Sequence, residues 1–286
     1  GGDFVVGGEP WVPFGINFWP LSVTGLEQSE YGLHWLSQRF YEPEQVQRDL
    51  ENVRAFGMNV VCVQYLDEGM ARPLMDLLER CRQLDLRAFI FLPGGFPLQP
   101  DTDRLQRLIR AAHLDETEAV FAYDLAWEPR VGDEQSRRRW DPLWREWIAE
   151  RYGDIANAEN DWGIAAPRDG KERVTTPSDE QILNDGPHRV MVAAYRRFLD
   201  DAISEGYGRV VRAVHAVDPH HLVGVRTGYG GTGNPRVDAQ MPFDLASGAK
   251  HLDFVSPEGY GHGPSWETIR NAGLTTLYGR LAGGGK

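Results

Sequence analysis

Residues 119 to 132 read Ala-Val-Phe-Ala-Tyr-Asp-Leu-Ala-Trp-Glu-Pro-Arg-Val-Gly. The run from Val120 to Ala126 is apolar and rich in β-forming residues, with Asp124 as its one charge, so it predicts a buried strand. Pro129 cannot donate to a strand ladder and favours extended backbone at Glu128, so we expect the strand to end there. A carboxyl group would then lie at the carboxyl end of a strand, where α/β barrels hold their reactive groups. The simpler interpretation is a solvated loop glutamate beside Arg130.

Apolar strands and amphipathic helices alternate on both sides of this run. The predicted strands are Gly15 to Pro20, Met58 to Leu66, Leu86 to Leu92, Val120 to Ala126, Leu222 to Thr227 and Leu252 to Ser256. The predicted helices are Pro43 to Phe56, Ala71 to Leu84, Thr102 to Leu114, a helical stretch from Trp140 to Trp162, Val190 to Val217 and Trp266 to Leu281. Residues 4 to 14 predict two short strands around a Gly-Gly-Glu turn. The alternation predicts βα units and a parallel sheet.

The pattern contains six βα units, whereas a closed (β/α)8 TIM barrel needs eight. An open remainder of six strands would leave apolar edges exposed. Two alternatives follow: two further units lie on a separate or missing segment after Lys286, or the sheet is open and doubly wound. In either case we expect one domain over residues 1–286, with a helical insert at 133–187 after the fourth strand.

The composition limits the classes of partner. With 286 residues and 41% hydrophobic content, the chain can bury one barrel-sized core. A net charge of −12 argues against a nucleic-acid or anionic-membrane partner and favours a neutral substrate. We expect Cys62 and Cys81 to be two packed thiols, and we find no metal-ligand spacing and no cofactor motif. No membrane span or signal peptide is predicted, and the compartment and the oligomeric state, homo-oligomers included, are left open.

Three runs of the chain resemble a known family. They are residues 7–20 (Gly-Gly-Glu-Pro-Trp-Val-Pro-Phe-Gly-Ile-Asn-Phe-Trp-Pro), residues 144–153 (Trp-Arg-Glu-Trp-Ile-Ala-Glu-Arg-Tyr-Gly) with residues 158–163 (Ala-Glu-Asn-Asp-Trp-Gly), and residues 253–260 (Asp-Phe-Val-Ser-Pro-Glu-Gly-Tyr). They are similar to the opening hairpin and first strand, the insert after strand four, and strand six of clan A glycoside hydrolases, especially the family 42 β-galactosidases. The resemblance implies a (β/α)8 barrel and a retaining β-glycosidase.

Carried over by position, Glu128 corresponds to the general acid/base of that clan. The chain departs from the family at Trp127, because the family has asparagine before this glutamate, and an indole offers one donor and no acceptor. The nucleophilic glutamate of the family follows strand seven, so we expect it on a segment after Lys286. Within this chain Glu258 is the alternative: it acts either as nucleophile or base, or it has a substrate-binding or structural role. Tyr260 corresponds to the strand-six tyrosine.

The predicted substrate-binding residues lie at strand ends. They are Asn17, Trp19, Gln64, Tyr65, Trp127, Arg226, Glu258 and Tyr260. The expected partners are an oligosaccharide or glycoside substrate and a second polypeptide segment that completes the barrel. The alternative function is a carbohydrate-binding barrel that has lost hydrolysis, which the change from asparagine to Trp127 and the missing strand would both permit.

Overall fold

The structure is a computed structural model that describes residues 4–20, 34–227, 241–244, 246–257, 276–281 and 284. Its strands are β1 (Phe4–Val6), β2 (Glu9–Trp11), β3 (Gly15–Asn17), β4 (Val60–Gln64), β5 (Arg87–Phe91), β6 (Val120–Trp127), β7 (Leu222–Thr227) and β8 (Phe254–Pro257). Its helices are α1 (Pro43–Ala55), α2 (Ala71–Gln83), α3 (Thr102–Ala111), α4 (Glu134–Arg137), α5 (Asp141–Tyr152), α6 (Ile155–Trp162), α7 (Asp179–Leu183) and α8 (Arg189–His215), and residues 276–281 are also helical. The predicted barrel strands are confirmed as β3 to β8.

The six parallel strands follow one another in the sheet in the order β3-β4-β5-β6-β7-β8. A doubly wound sheet reverses its order at a switch point, and this one does not. The doubly wound alternative is therefore wrong, and the winding is that of a (β/α)8 barrel. The sheet is curled, because Arg226 on β7 donates a 3.1 Å hydrogen bond to Asn17 on β3, although the two strands are not neighbours. Within the described residues this partial barrel is open between β3 and β8.

The two faces of the sheet have separate cores. The outer face packs on the helices, for which α2 supplies Leu74, Leu77, Leu78 and Cys81 at helical spacing. The inner face is filled with rings at the amino ends of the strands, where Phe4 and Trp11 of the β1–β2 hairpin lie 5.2 and 4.9 Å from the ring of Phe121. The hairpin thus closes the amino-terminal end of the partial barrel. The carboxyl ends of the strands form the opposite end, called the mouth below.

The segment between β6 and β7 contains the helices α4 to α8. The helical stretch predicted from Trp140 to Trp162 is two helices, α5 and α6, because Gly153 between them has φ +83°, a value that ends a helix. Trp144 stacks on Trp162 at 5.7 Å with an interplanar angle of 9° and so ties α5 to α6. The helix predicted over Trp266 to Leu281 is described only at residues 276–281, which are helical.

Cys62 and Cys81 are free thiols, as expected, and burial raises the pKa of both. Among the described residues, no helix combines the length and the apolar character that a membrane crossing needs.

Candidate active site at the mouth of the partial barrel

Glu128 follows β6 directly, and its backbone departs from the expected geometry. Its N–H donates to the carbonyl oxygen of Arg226 on β7 at 3.0 Å. Its φ is +47°, so the expectation that Pro129 keeps Glu128 extended is wrong. A non-glycine residue at positive φ costs on the order of 1–3 kcal/mol, and such strain concentrates at functional sites. The structure therefore retains an unfavourable backbone at the one residue that the sequence marks for catalysis.

The carboxylate of Glu128 lies at the rim of the mouth. Its side chain is 18% exposed, and its Oε2 lies 3.0 Å from Nη2 of Arg130, whose side chain is 39% exposed. The ion pair of the simpler interpretation is thus present, although the glutamate is half-buried rather than fully solvated. An exposed ion pair of this kind contributes about 0–1 kcal/mol to stability.

Arg226 is the centre of the cluster behind Glu128. Its guanidinium carbon lies 4.0 Å from the centroid of the Trp127 ring, within cation–π range. Its Nη1 donates to Oδ1 of Asn17 at 3.1 Å, and only 8% of the residue is exposed. The structure therefore brings together four predicted site residues: Asn17, Trp127, Glu128 and Arg226.

Asp124 belongs to the same cluster and was not among the predicted site residues. Its Oδ1 accepts hydrogen bonds from the backbone N–H groups of Arg226 at 3.1 Å and Ala126 at 3.3 Å. Its Oδ2 lies 3.4 Å from Nε of Arg226 and has no hydrogen-bond partner among the described residues. Burial raises the pKa of Asp124 to about 7, against the opposing effect of Arg226. The signal for it in the sequence is a single charge inside an otherwise apolar strand.

Gln64 and Tyr65 do not lie together, because consecutive residues of an extended chain face opposite sides. Gln64 is half-buried and lies beside His34, whose pKa is lowered by burial and raised in part by Gln64. Tyr65 is fully buried in the outer core, and burial raises the pKa of its hydroxyl. Trp19 is half-buried, with its ring 5.3 Å from that of His34. Gln64 and Trp19 thus share His34 as a neighbour, whereas Tyr65 offers no surface at the mouth.

Two predicted residues, Glu258 and Tyr260, lie outside the described residues. The described part of the chain contains no group of three or more His, Cys, Asp or Glu side chains arranged to hold a metal ion. A cleft of about 420 Å³ lies between α5 and α8, lined by Leu143, Trp147 and Phe198 among others, and none of its lining residues is a predicted site residue.

A model of glycoside hydrolase family 42, described as β-galactosidase, matches residues 99–278. A search of curated proteins gave no match.

Solved structures share the fold at low sequence identity. A cold-adapted β-galactosidase from Rahnella sp. R3 has a TM-score of 0.56 and 16% identity, over 78% of this chain and 38% of its own. A catalytic mutant of a family 42 β-galactosidase from G. stearothermophilus has a TM-score of 0.57 and 14% identity, over 84% and 41%. The catalytic domain of β-amylase from Paenibacillus polymyxa has a TM-score of 0.60 and 10% identity, over 85% and 81%. The chain spans about two fifths of the length of these β-galactosidases.

Proposed function

The chain belongs to glycoside hydrolase family 42, and on that premise we propose that it forms the acid/base half of the active site of a β-glycosidase. The observation that supports this most directly is the place of Glu128, at the carboxyl end of β6 with a strained backbone and a half-buried carboxylate. The named relatives suggest β-galactosides as the substrate class.

The proposed reaction is hydrolysis with retention, which needs two carboxyl groups about 5 to 5.5 Å apart. Glu128 donates its proton to the glycosidic oxygen while a carboxylate attacks the anomeric carbon and the bond to the leaving group breaks. Glu128 then removes a proton from water, and the hydroxide oxygen displaces the enzyme carboxylate. We place that nucleophile on a further segment of polypeptide next to β8, with Glu258 as the alternative within this chain.

The same proposal accounts for the open sheet. Residues 1–286 would form a single domain, with the insert at 133–187, and two further βα units would fill the gap between β3 and β8. Asn17, Trp127 and Arg226 would contact the sugar, because their side chains meet beside Glu128 at the mouth. The missing family asparagine would be replaced here by an indole and a guanidinium.

Glu128→Ala in the complete polypeptide tests the assigned role. With an aryl β-galactoside whose leaving group needs protonation, we expect turnover to fall by about 10²- to 10⁴-fold. A dinitrophenyl galactoside releases dinitrophenolate, which leaves without being protonated. With this substrate the rate of the bond-breaking step should fall much less. Glu172→Ala is the matched control, because Glu172 is also a glutamate at positive φ, +58°, but lies in the insert. An equal loss on both substrates would contradict a proton-donating role.

One observation favours a second function, a carbohydrate-binding barrel without hydrolysis. Arg130 lies 3.0 Å from Oε2 of Glu128 and engages the oxygen that a proton donor would need. If the complete polypeptide binds galactosides, measured by calorimetry, and cleaves neither aryl substrate, the binding function is correct and the hydrolase proposal is wrong.

A further inference from the structure

Asp124 is a buried carboxyl group for which the proposed reaction has no use. It lies on β6, four positions before Glu128, and none of its surface is exposed. Burying a carboxylate is costly unless its partners compensate, and Oδ2 has no hydrogen-bond partner among the described residues. A strand core would be more stable with an apolar residue here, so a carboxyl group at this position needs a reason.

The reason lies in the interrupted ladder between β6 and β7. The pairing register of the two strands shifts between Asp124 and Trp127, and such a bulge removes a backbone acceptor. Oδ1 of Asp124 supplies the acceptor, because the backbone N–H of Arg226 donates to it at 3.1 Å. The next backbone bond, from Glu128 N–H to the Arg226 carbonyl, follows at 3.0 Å. Arg226 is thus held on both sides of its backbone, once by Asp124 and once by Glu128.

We propose that Asp124 is a positioning residue: by holding Arg226, it fixes the Trp127 indole and the Asn17 side chain beside Glu128. Oδ2 of Asp124 lies 3.4 Å from Nε of Arg226. The guanidinium carbon lies 4.0 Å from the centroid of the Trp127 ring, and Nη1 donates to Oδ1 of Asn17 at 3.1 Å. The effect on turnover rests on the proposed function. The effect on the geometry of Trp127 does not.

The charge of Asp124 is sensitive to pH near neutrality. The ionisable groups that face it are Arg226 on β7, Cys62 on β4 and Tyr207 on α8. Burial raises the pKa of Asp124 to about 7, and burial also raises the pKa values of the thiol and the phenol, which therefore stay neutral there. Asp124 is consequently the group of this set that changes charge around pH 7, and its protonation removes the counterion of Arg226.

Fluorescence tests the geometry without activity. Trp127 is one of nine tryptophans. Its emission is therefore obtained as the difference between the emission spectra of the wild type and of Trp127→Phe, both measured on the 286-residue chain. We expect this difference to change with a midpoint at about pH 7, and to lose that step when Asp124→Asn is introduced into both proteins. Asp200→Asn is the control, since burial also raises the pKa of Asp200, which instead contacts Asp244 and Ser247. A step that persists in Asp124→Asn, or disappears in Asp200→Asn, would overturn the proposal.

A second variant covers the case in which Asp124→Asn does not fold. Arg226→Lys keeps the charge but loses the planar group over Trp127. It should change the Trp127 difference spectrum at all pH values. In the complete polypeptide it should lower kcat/KM for the galactoside on the order of 10²-fold, as a small misplacement does. If the wild type cleaves no glycoside, the proposed function fails, and the fluorescence still decides the role of Asp124. An unchanged Trp127 spectrum in Arg226→Lys would contradict the positioning role.

Discussion

At the scale of the single residue, Glu128 shows how a proposed catalytic position can conflict with local backbone preference. The residue before a proline normally adopts extended backbone, yet Glu128 has φ +47°. In this conformation Glu128 N–H donates to the carbonyl oxygen of Arg226 on the neighbouring strand. Sequence rules that use only the next residue cannot include a partner almost a hundred positions away. These rules therefore predicted where β6 ends, but they predicted the wrong backbone conformation for Glu128, the residue that follows it.

The strain at Glu128 can be measured with a pair of substitutions. Glu128→Ala keeps the strained backbone, whereas Glu128→Gly relieves it, so we expect the glycine variant to have the higher free energy of unfolding by about 1 kcal/mol. Urea denaturation followed by circular dichroism gives the difference. The control pair is Glu146→Ala and Glu146→Gly inside α5, where glycine should be the less stable by about 1 kcal/mol. The same sign at both positions would mean that Glu128 is not strained.

At the scale of the element, α8 depends on one glycine for its contact with the loop after β5. A methyl group built on Gly206 would lie 2.0 Å from the carbonyl oxygen of Pro97, far inside van der Waals contact. The helix could not pack at its present distance with any larger residue.

Gly206→Ala should therefore destabilise the chain, although alanine is normally the better helix former. Overpacking against a backbone carbonyl costs about 1–3 kcal/mol, and the thermal midpoint should fall accordingly. Gly170 has no atom within 4 Å of a built methyl group, so Gly170→Ala should leave the midpoint nearly unchanged. Calorimetry of both variants checks the prediction, and a stabilised Gly206→Ala would refute the close contact.

The elements were largely predictable because the apolar runs of β4, β5 and β6 are long and end at glycine, proline or charge. The break between α5 and α6 was harder to predict, since the tryptophans on either side continue a helical period across Gly153.

The site was predictable only in part. Asn17, Trp127 and Arg226 were placed by their positions at strand ends, but the bond between Asp124 and Arg226 joins residues far apart in the chain, and no local pattern encodes it.

At the scale of the whole molecule, β3 is an edge strand of the partial barrel, and among the described strands it pairs only with β4. Asn17 of β3 faces inward to Arg226, so the residues on either side of it face outward. Phe18 is covered, but Phe14 and Ile16 are 55% and 45% exposed. Apolar side chains on an edge strand favour pairing with another chain.

Ile16→Lys should therefore reduce self-association of the 286-residue chain. Sedimentation velocity over a range of concentrations should show a smaller fraction of dimers, and a smaller fraction of larger species, than for the wild type. The reason is that a charged edge strand resists pairing. Val5→Lys is the control, since Val5 is 58% exposed on β1, away from that edge. If both substitutions, or neither, change the association, the β3 edge is not responsible for it.

The strand order also bears on synthesis. Each strand of the sheet pairs with the one that precedes it in the chain, so a nascent polypeptide leaving the ribosome can add every new strand to a partner that has already emerged. Glu128 would then be fixed as soon as β7 has left the exit tunnel, since its backbone partner is Arg226. The proposed acid/base residue would accordingly reach its backbone geometry while the chain is still being translated, once β3 to β7 have emerged.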